Sequence, residues 1–262
     1  LSPRWSTSSV TACPNSASEA NVTTATEHVY SVSETQHQVL QLIAEAPVGS
    51  TSIIGYGGAA GGAKTNTLAN LALEIGLQCP GSNTLVARHD LTDLKETTLA
   101  EFDLALPPGI DVRKYDSPPI YRDVRLDSSK PYSRIWFKHL KDDPGSTQYG
   151  WVLIDEGHEV AIARVLYLFT RLRHTPEKKW GLVVGFNPFP GWCVDWFMKG
   201  QYPDMRGLPP EVRVDIHFVR SRMEDNPHLR AGYRETQEAL LDPYLKAIMV
   251  DGDPDAALGG LL

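Results

Sequence analysis

The sequence predicts an α/β fold with a mostly parallel central sheet and helices on both faces. Three observations carry that prediction. Short apolar runs recur at 52–54, 83–87, 151–154 and 181–185, and runs of this length without polar alternation suit strands buried on both faces. The segments between them repeat apolar residues at helical spacing, as in Leu68, Leu71, Ala72 and Ile75. The run ends carry residues foreign to a core: a glycine-rich turn, an arginine, an acidic pair and an Asn-Pro step. In an open parallel sheet the C-terminal strand edge is where ligands bind.

The chain has 262 residues, enough for one large α/β domain or two small ones with a sizeable core. A net charge of −7 disfavours a protein that coats nucleic acid statically, and leaves room for a motor that touches DNA through a local patch. Cys13, Cys79 and Cys193 form no CxxC pair, so neither a zinc site nor a disulfide framework is indicated and a reduced, cytosolic setting is expected. The Asn21-Val22-Thr23 sequon has no consequence there. No apolar run approaches a membrane span, and no signal-peptide h-region is visible.

Taken in order, residues 1–30 are rich in Ser, Thr, Ala and Asn and read as a loosely packed or poorly ordered arm. Ser33-Glu34-Thr35-Gln36 is a capping box, opening a helix through Val39, Leu40, Leu42 and Ile43 that ends before Pro47. The run at 52–54 leads into Gly55-Tyr56-Gly57-Gly58-Ala59-Ala60-Gly61-Gly62-Ala63-Lys64-Thr65 and then a helix. Strand, flexible loop and helix N-terminus make a phosphate cradle, because loop N–H groups and the helix dipole both favour anions. Lys64 would reach the β- and γ-phosphates and Thr65 would ligate Mg²⁺. The usual pattern has glycine directly before the lysine; here Ala63 stands there, and alanine tolerates a positive φ poorly.

The next strand, 83–87, ends at Arg88 near the loop, where it reads either as a group that contacts phosphate or transmits nucleotide state, or as a plain surface arginine; a helix carrying Leu94, Leu99 and Phe102 follows. Residues 107–131 suit an edge hairpin, 133–137 a strand and 141–150 a turn-rich loop. Trp151-Val152-Leu153-Ile154-Asp155-Glu156 ends a buried strand in two carboxylates about ninety residues after the loop. Asp155 would hold Mg²⁺ and Glu156 would polarise the attacking water. Val160, Ala163, Leu166, Phe169 and Leu172 suggest a long amphipathic helix, with Arg164, Arg171 and Arg173 off its apolar face. Strand 181–185 ends in Phe186-Asn187-Pro188, which places Asn187 as a γ-phosphate sensor. Trp192 to Met198 reads as helical core, 212–219 as a last strand with Val214, Ile216 and Phe218 on one face, and Asp225-Asn226-Pro227 as a helix start. Helical segments reach about Leu241 and Val250, and the Gly/Ala/Leu-rich stretch 251–262 reads as the start of a linker.

These motifs together resemble the ATPase domain of the large terminase subunit of tailed bacteriophages, the motor that packages DNA into a procapsid. The Ser33–Gln36 helix start is similar to that family's adenine-reading glutamine motif, with Gln38 the fallback and plain helix capping the alternative. The loop 57–65, Arg88 to Phe102, Ile154-Asp155-Glu156, and Gly185-Phe186-Asn187-Pro188 with Trp192 and Phe197 carry the rest, and Asp225 to Leu229 with Tyr233 adds a fainter echo. The resemblance implies a P-loop NTPase of the additional-strand catalytic-glutamate type over residues 31–250. ATP would lie on Gln36, Gly57, Gly58, Ala59, Ala60, Gly61, Gly62, Ala63, Lys64, Thr65 and Arg88, with Mg²⁺ on Thr65 and Asp155, and with Glu156, Lys64 and Asn187 catalytic. It further implies double-stranded DNA, a portal protein and a small terminase subunit as partners, a homo-oligomeric ring, no membrane, and a place in the cytoplasm of the infected host. A C-terminal nuclease domain would follow the linker. Ala59 and Ala60 stand where many family loops carry an arginine, so a cis arginine from the loop is not expected; no motif places a trans finger, and Arg164, Arg171 and Arg173 read either as a solvated face or as the source of one toward a neighbouring subunit. Two other readings are a helicase motor, suggested by Asp155-Glu156-Gly157-His158, and an inactive nucleotide-binding module, suggested by Ala63.

Overall fold

The computed structural model describes residues 33–142, 145–174, 176, 178–203, 213–226 and 228–256. The N-terminal arm, Cys13, the sequon, Val212, Pro227 and the second half of the expected linker lie outside them. The ordered chain opens on α1 (Glu34–Glu45), β1 (Thr51–Gly58), α2 (Lys64–Gln78) and β2 (Asn83–Arg88). A continuous helical stretch then passes from α3 (Leu91–Asp93) through a π-helical segment (Leu94–Leu99) into α4 (Ala100–Ala105). The hairpin β3 (Asp111–Tyr115) and β4 (Ile120–Arg125) follows, then β5 (Ser133–His139), β6 (Trp151–Ile154), α5 (Ile162–Phe169), β7 (Trp180–Phe186), β8 (Val214–Ser221), α6 (Tyr233–Leu240) and α7 (Pro243–Met249).

The eight strands form one sheet in the order β3-β4-β5-β2-β6-β7-β1-β8. Every pairing from β5 to β8 is parallel, and the β3-β4-β5 edge is antiparallel. The order matters for the site. β7 is inserted between β1, which leads into the glycine loop, and β6, which ends at the acidic pair. Residues from three adjacent strand ends therefore meet at one edge.

Alternation along the strands splits the core in two. Ile54, Tyr56, Val86, Leu153 and Val183 face α1, α2 and α4, and are packed by Val39, Leu68, Leu71, Ala72 and Phe102. Ile53, Leu85, Val152, Ile154, Leu182, Val184 and Phe186 face the other way, onto Val165 and Leu168 of α5 and onto Trp196 and Phe197. The latter two come from a π-helical turn, Val194–Met198. Helices on both faces, the edge hairpin and the helical core after Trp192 are as the sequence predicts. Val214, Ile216 and Phe218 share a face of β8 against the second cluster, also as read. Gly55 and Gly57 have a packing role: they lie in β1, and an added Cβ would overlap the Phe197 and Phe186 rings respectively. Gly57 is thus part of the strand rather than of the turn.

Two expectations fail. The helix after the acidic pair is short, and its buried residues are Val165 and Leu168, whereas Leu166 is 47% exposed and Ala163 is exposed. Both apolar series follow three-residue spacing, and packing against β6 and β7 selects the one offset by one position. Nor does a helix begin at Asp225-Asn226. Met223–Asp225 is a 3-10 turn, and α6 starts only after Gly232. The Asn226 Oδ1 accepts from the His228 N–H at 3.0 Å, closing a local turn instead of capping a helix.

Candidate active site

The loop between β1 and α2 turns on residues in left-handed conformations. Gly58 has φ 140°, Gly61 φ 76° and Ala63 φ 58°. Gly58 also needs to lack a Cβ, which would overlap the Ser221 carbonyl oxygen. The loop's first half is tied down from behind: the Ala59 N–H donates to Ser221 O at 3.1 Å and the Ala60 N–H to Met249 O at 2.7 Å. Its carbonyls are tied as well, Gly62 O by the Tyr56 and Ser221 hydroxyls and Gly61 O by the Asn226 side chain. Among the described residues no acceptor engages the N–H groups of Gly61, Gly62 or Ala63. Together with the first amides of α2, these form the open donor set that an anion at a helix N-terminus requires.

Ala63 is the misfit that the sequence reading flags, and it adopts the strained geometry outright, at φ 58° and ψ 25°. A left-handed alanine costs about 1–2 kcal/mol relative to its right-handed form. Ala63→Gly is therefore expected to stabilise the protein by about 0.5–1 kcal/mol, after the greater unfolded-state freedom of glycine is counted. Urea denaturation of the two proteins measures it, and a loss of stability would show that the alanine methyl contributes packing that outweighs the strain.

Lys64 is buried, and its ammonium donates to Ala59 O at 2.6 Å and Gly58 O at 3.4 Å. Burial lowers its pKa to about 8, with Glu156 and Asp155 pulling the other way. Thr65, one residue on, directs its hydroxyl at both oxygens of Asp155, at 3.2 and 3.1 Å. Asp155 is 1% exposed at the end of β6. A hydroxyl and a carboxylate converging at that distance are hard oxygen donors of the type Mg²⁺ takes, so the residues present fit the ion.

Glu156 sits beyond the strand in a left-handed conformation, φ 50° and ψ 49°. Strain of this kind in a non-glycine residue is tolerated where the surroundings over-determine it, and it clusters at functional positions. Burial, reinforced by the neighbouring Asp155, pushes its carboxyl up to about 7. Asn187, from the end of β7, donates Nδ2–H to Glu156 Oε2 at 3.1 Å, while its own buried Oδ1 has no partner. His158 lies 3.5 Å from the same Oε2, accepts the Asn187 backbone N–H on Nδ1, and stacks on Phe189. Burial holds His158 down at about 4, so it is neutral near pH 7 and its contact with Glu156 is not a salt bridge.

Arg88 reaches the same edge. Its guanidinium is 3.9 Å from Asp155 and 3.9 Å from Glu159, and donates to the Thr97 hydroxyl at 2.7 Å, while its Nε is buried without a hydrogen bond. Gln36 is 5% exposed, and both roles read for it start from that position. It completes the capping box with Ser33, and its amide Nε2 donates to the Thr67 hydroxyl on α2 at 2.9 Å, while Gln38 is exposed. The structure thus gathers Lys64, Thr65, Arg88, Asp155, Glu156 and Asn187 at one sheet edge. Sequence reading gave no site role to Thr97, Thr98, Glu159, Ser221 or Asn226, although Thr97 and Thr98 lie inside the Arg88–Phe102 stretch and Asn226 inside Asp225–Leu229.

No protein-family model matches the chain, and no curated protein matches it in sequence. Solved structures do. The large terminase of a thermophilic bacteriophage in complex with ADP superposes with a TM-score of 0.67 at 16% identity, over 85% of this chain and 53% of that one. Its complex with ATP-gamma-S gives 0.65 at 15% identity, over 85% and 53%. A mutant large terminase ATPase domain of Thermus phage P74-26 gives 0.61 at 11% identity, over 86% and 94%. The chain has the fold of the large-terminase ATPase domain. It spans about half the length of the thermophilic phage protein and nearly all of the P74-26 domain. Within this terminase ATPase fold the loop, the acidic pair and Asn187 occupy adjacent strand ends, as the inserted β7 requires. Of the three arginines expected on one long helix, only Arg164 lies in α5; Arg171, beyond its end, is engaged locally, stacked on the Tyr167 ring and donating to its hydroxyl. Arg173 is exposed. No described helix is long and apolar enough to cross a membrane.

Proposed function

We propose that this chain is the ATP-hydrolysing motor domain of a viral DNA-packaging terminase, which couples ATP hydrolysis to movement of double-stranded DNA into a procapsid. The observation that carries the reading is the meeting of Lys64, the Thr65–Asp155 pair and the Glu156–Asn187 pair at the C-terminal edge of β1, β6 and β7. The fold shared with terminases bound to ADP and ATP-gamma-S supports it.

ATP phosphates would lie on the free amides of 61–63 and the start of α2, with Lys64 leaving its carbonyl partners to meet the β- and γ-phosphates. Thr65 and Asp155 would hold Mg²⁺, whose chemistry when bound is to neutralise charge on the leaving phosphate oxygens. Glu156 takes the proton of the attacking water. Its Oε2 is occupied by the Asn187 amide, so Oε1 is the oxygen left for the water. Asn187 thereby links the base to the Pro188–Phe189 segment and would report γ-phosphate to it. Gln36 would contribute its remaining amide valence to adenine. Arg88 supplies positive charge in cis, and a neighbouring subunit's Arg173 or Arg164 would supply the rest. Double-stranded DNA, a portal protein, a small terminase subunit and a homo-oligomeric ring in the cytoplasm of the infected host complete the proposal.

The test is ATP turnover by the purified chain, alone and with double-stranded DNA and portal protein. Slow hydrolysis that rises with protein concentration and with those additions is the expected result. Tight ATP binding with no turnover under any of these conditions would instead establish a nucleotide-binding module without catalysis.

A further inference from the structure

The π-helical segment Leu94–Leu99 places two consecutive hydroxyls at the acidic edge. Such segments are rare and concentrate at functional sites. Thr97 accepts from Arg88 and also donates to its own helix at Asp93 O, 2.6 Å away. Thr98 is fully buried and donates to Asp155 Oδ2 at 2.7 Å, shorter than either Thr65 contact to that carboxylate. At 0% exposure no solvent competes for that bond.

The helix that carries Thr98 is itself fixed. Leu94, Leu99 and Phe102 are buried in the core, and Glu101 accepts from Asn66 of α2 at 3.1 Å. Asp155 is thus held from one side by a hydroxyl on a rigid neighbour and approached from the other by Thr65. Thr65 meets both oxygens, Oδ2 at 3.1 Å and Oδ1 at 3.2 Å, whereas Thr98 bonds Oδ2 alone, so Oδ2 carries both hydroxyls and Oδ1 is shared with Thr65 only.

We propose that Thr98 is a positioning residue for the cation site: it sets the rotation of the Asp155 carboxylate so that Oδ1 and the Thr65 hydroxyl converge on a divalent ion. This rests on the nucleotide reading above. Partners that orient a metal-binding side chain are commonly worth about 10–100-fold in metal affinity. The contact was invisible in the sequence because, within the Arg88–Phe102 stretch, nothing singles out Thr98 from its neighbours and its partner lies 57 residues away.

The experiment titrates a fluorescent ATP analogue against the full chain with and without Mg²⁺, for the wild type, Thr98→Val, Thr98→Ala and Thr98→Ser, alongside thermal melting. The valine and alanine variants are expected to lose about tenfold or more of the Mg²⁺-dependent gain in affinity, with metal-free affinity within about twofold of wild type, and serine is expected to restore the gain. Should one apolar variant fail to fold, the other carries the comparison. An unchanged Mg²⁺ response, an equal loss with and without Mg²⁺, or failure of serine to rescue would each overturn the assignment. A wild type that binds the analogue with no Mg²⁺ dependence overturns the cation role alone. A wild type that does not bind the analogue overturns the nucleotide reading, and this inference with it.

Discussion

Glu156→Gln is expected to lower ATP turnover by roughly 10²–10⁴-fold while nucleotide binding persists. Glutamine keeps the shape of the side chain and can still pair with Asn187, but it cannot accept a proton from water. The pH dependence separates this from a general loss of structure. The Glu156 carboxyl sits at about 7, so the base is half-charged at neutrality and becomes competent as pH rises through that value. Lys64, at about 8, must keep its proton to meet phosphate and loses it as pH rises further. For wild type, kcat/KM should therefore follow a narrow bell with limbs near these two values, since that ratio reports the free enzyme. The residual turnover of Glu156→Gln should lack the rising limb. A variant that hydrolyses ATP at the wild-type rate would remove Glu156 from the role of base.

Lys64→Met is expected to weaken ATP binding by roughly 10–100-fold, the worth of a charge-assisted hydrogen bond to phosphate, and at the same time to make the protein more stable. The lysine pKa falls from 10.5 to about 8 on folding, chiefly through burial. Between those values the unfolded chain binds more protons than the folded one, so stability rises with pH across that window. Below about 8 the folded protein bears the full cost of a buried ammonium. Glu156 acts in a different window with the opposite sign. Its carboxyl is raised from 4.5 to about 7, so its contribution declines as pH climbs between them. Urea denaturation at pH 6, where Glu156 still holds its proton, should show a gain on the order of 1–3 kcal/mol for methionine. A loss of stability would mean that the bonds to Ala59 O and Gly58 O outweigh the burial of the charge.

The local chemistry of the site was legible in the order of residues. Five glycines and three alanines before Lys64-Thr65, and four apolar residues before Asp155-Glu156, each concentrate their meaning in a few adjacent positions. The strand and helix pattern followed from alternation and helical spacing. The face of α5 did not. Two apolar series share that helix, and only its contact with β6 and β7 tells which one is buried. The segment at Asp225 misled for a related reason: an Asx side chain before proline serves a helix cap or a local turn equally well, and in this fold Asn226 also bonds the phosphate loop.

Sequence by itself determined which groups the site contains, because strand termini and a glycine loop deliver side chains through short-range rules of backbone geometry. Tertiary structure alone decided how those groups are held. Thr98 and Asp155 are 57 residues apart, Asn226 and Gly61 are 165 apart, and Met249 ties down Ala60 from the far end of the domain. No periodicity links such pairs. They meet because the sheet order puts β7 between β1 and β6 and lays β8 along β1, which brings distant segments against the loop and the acidic pair.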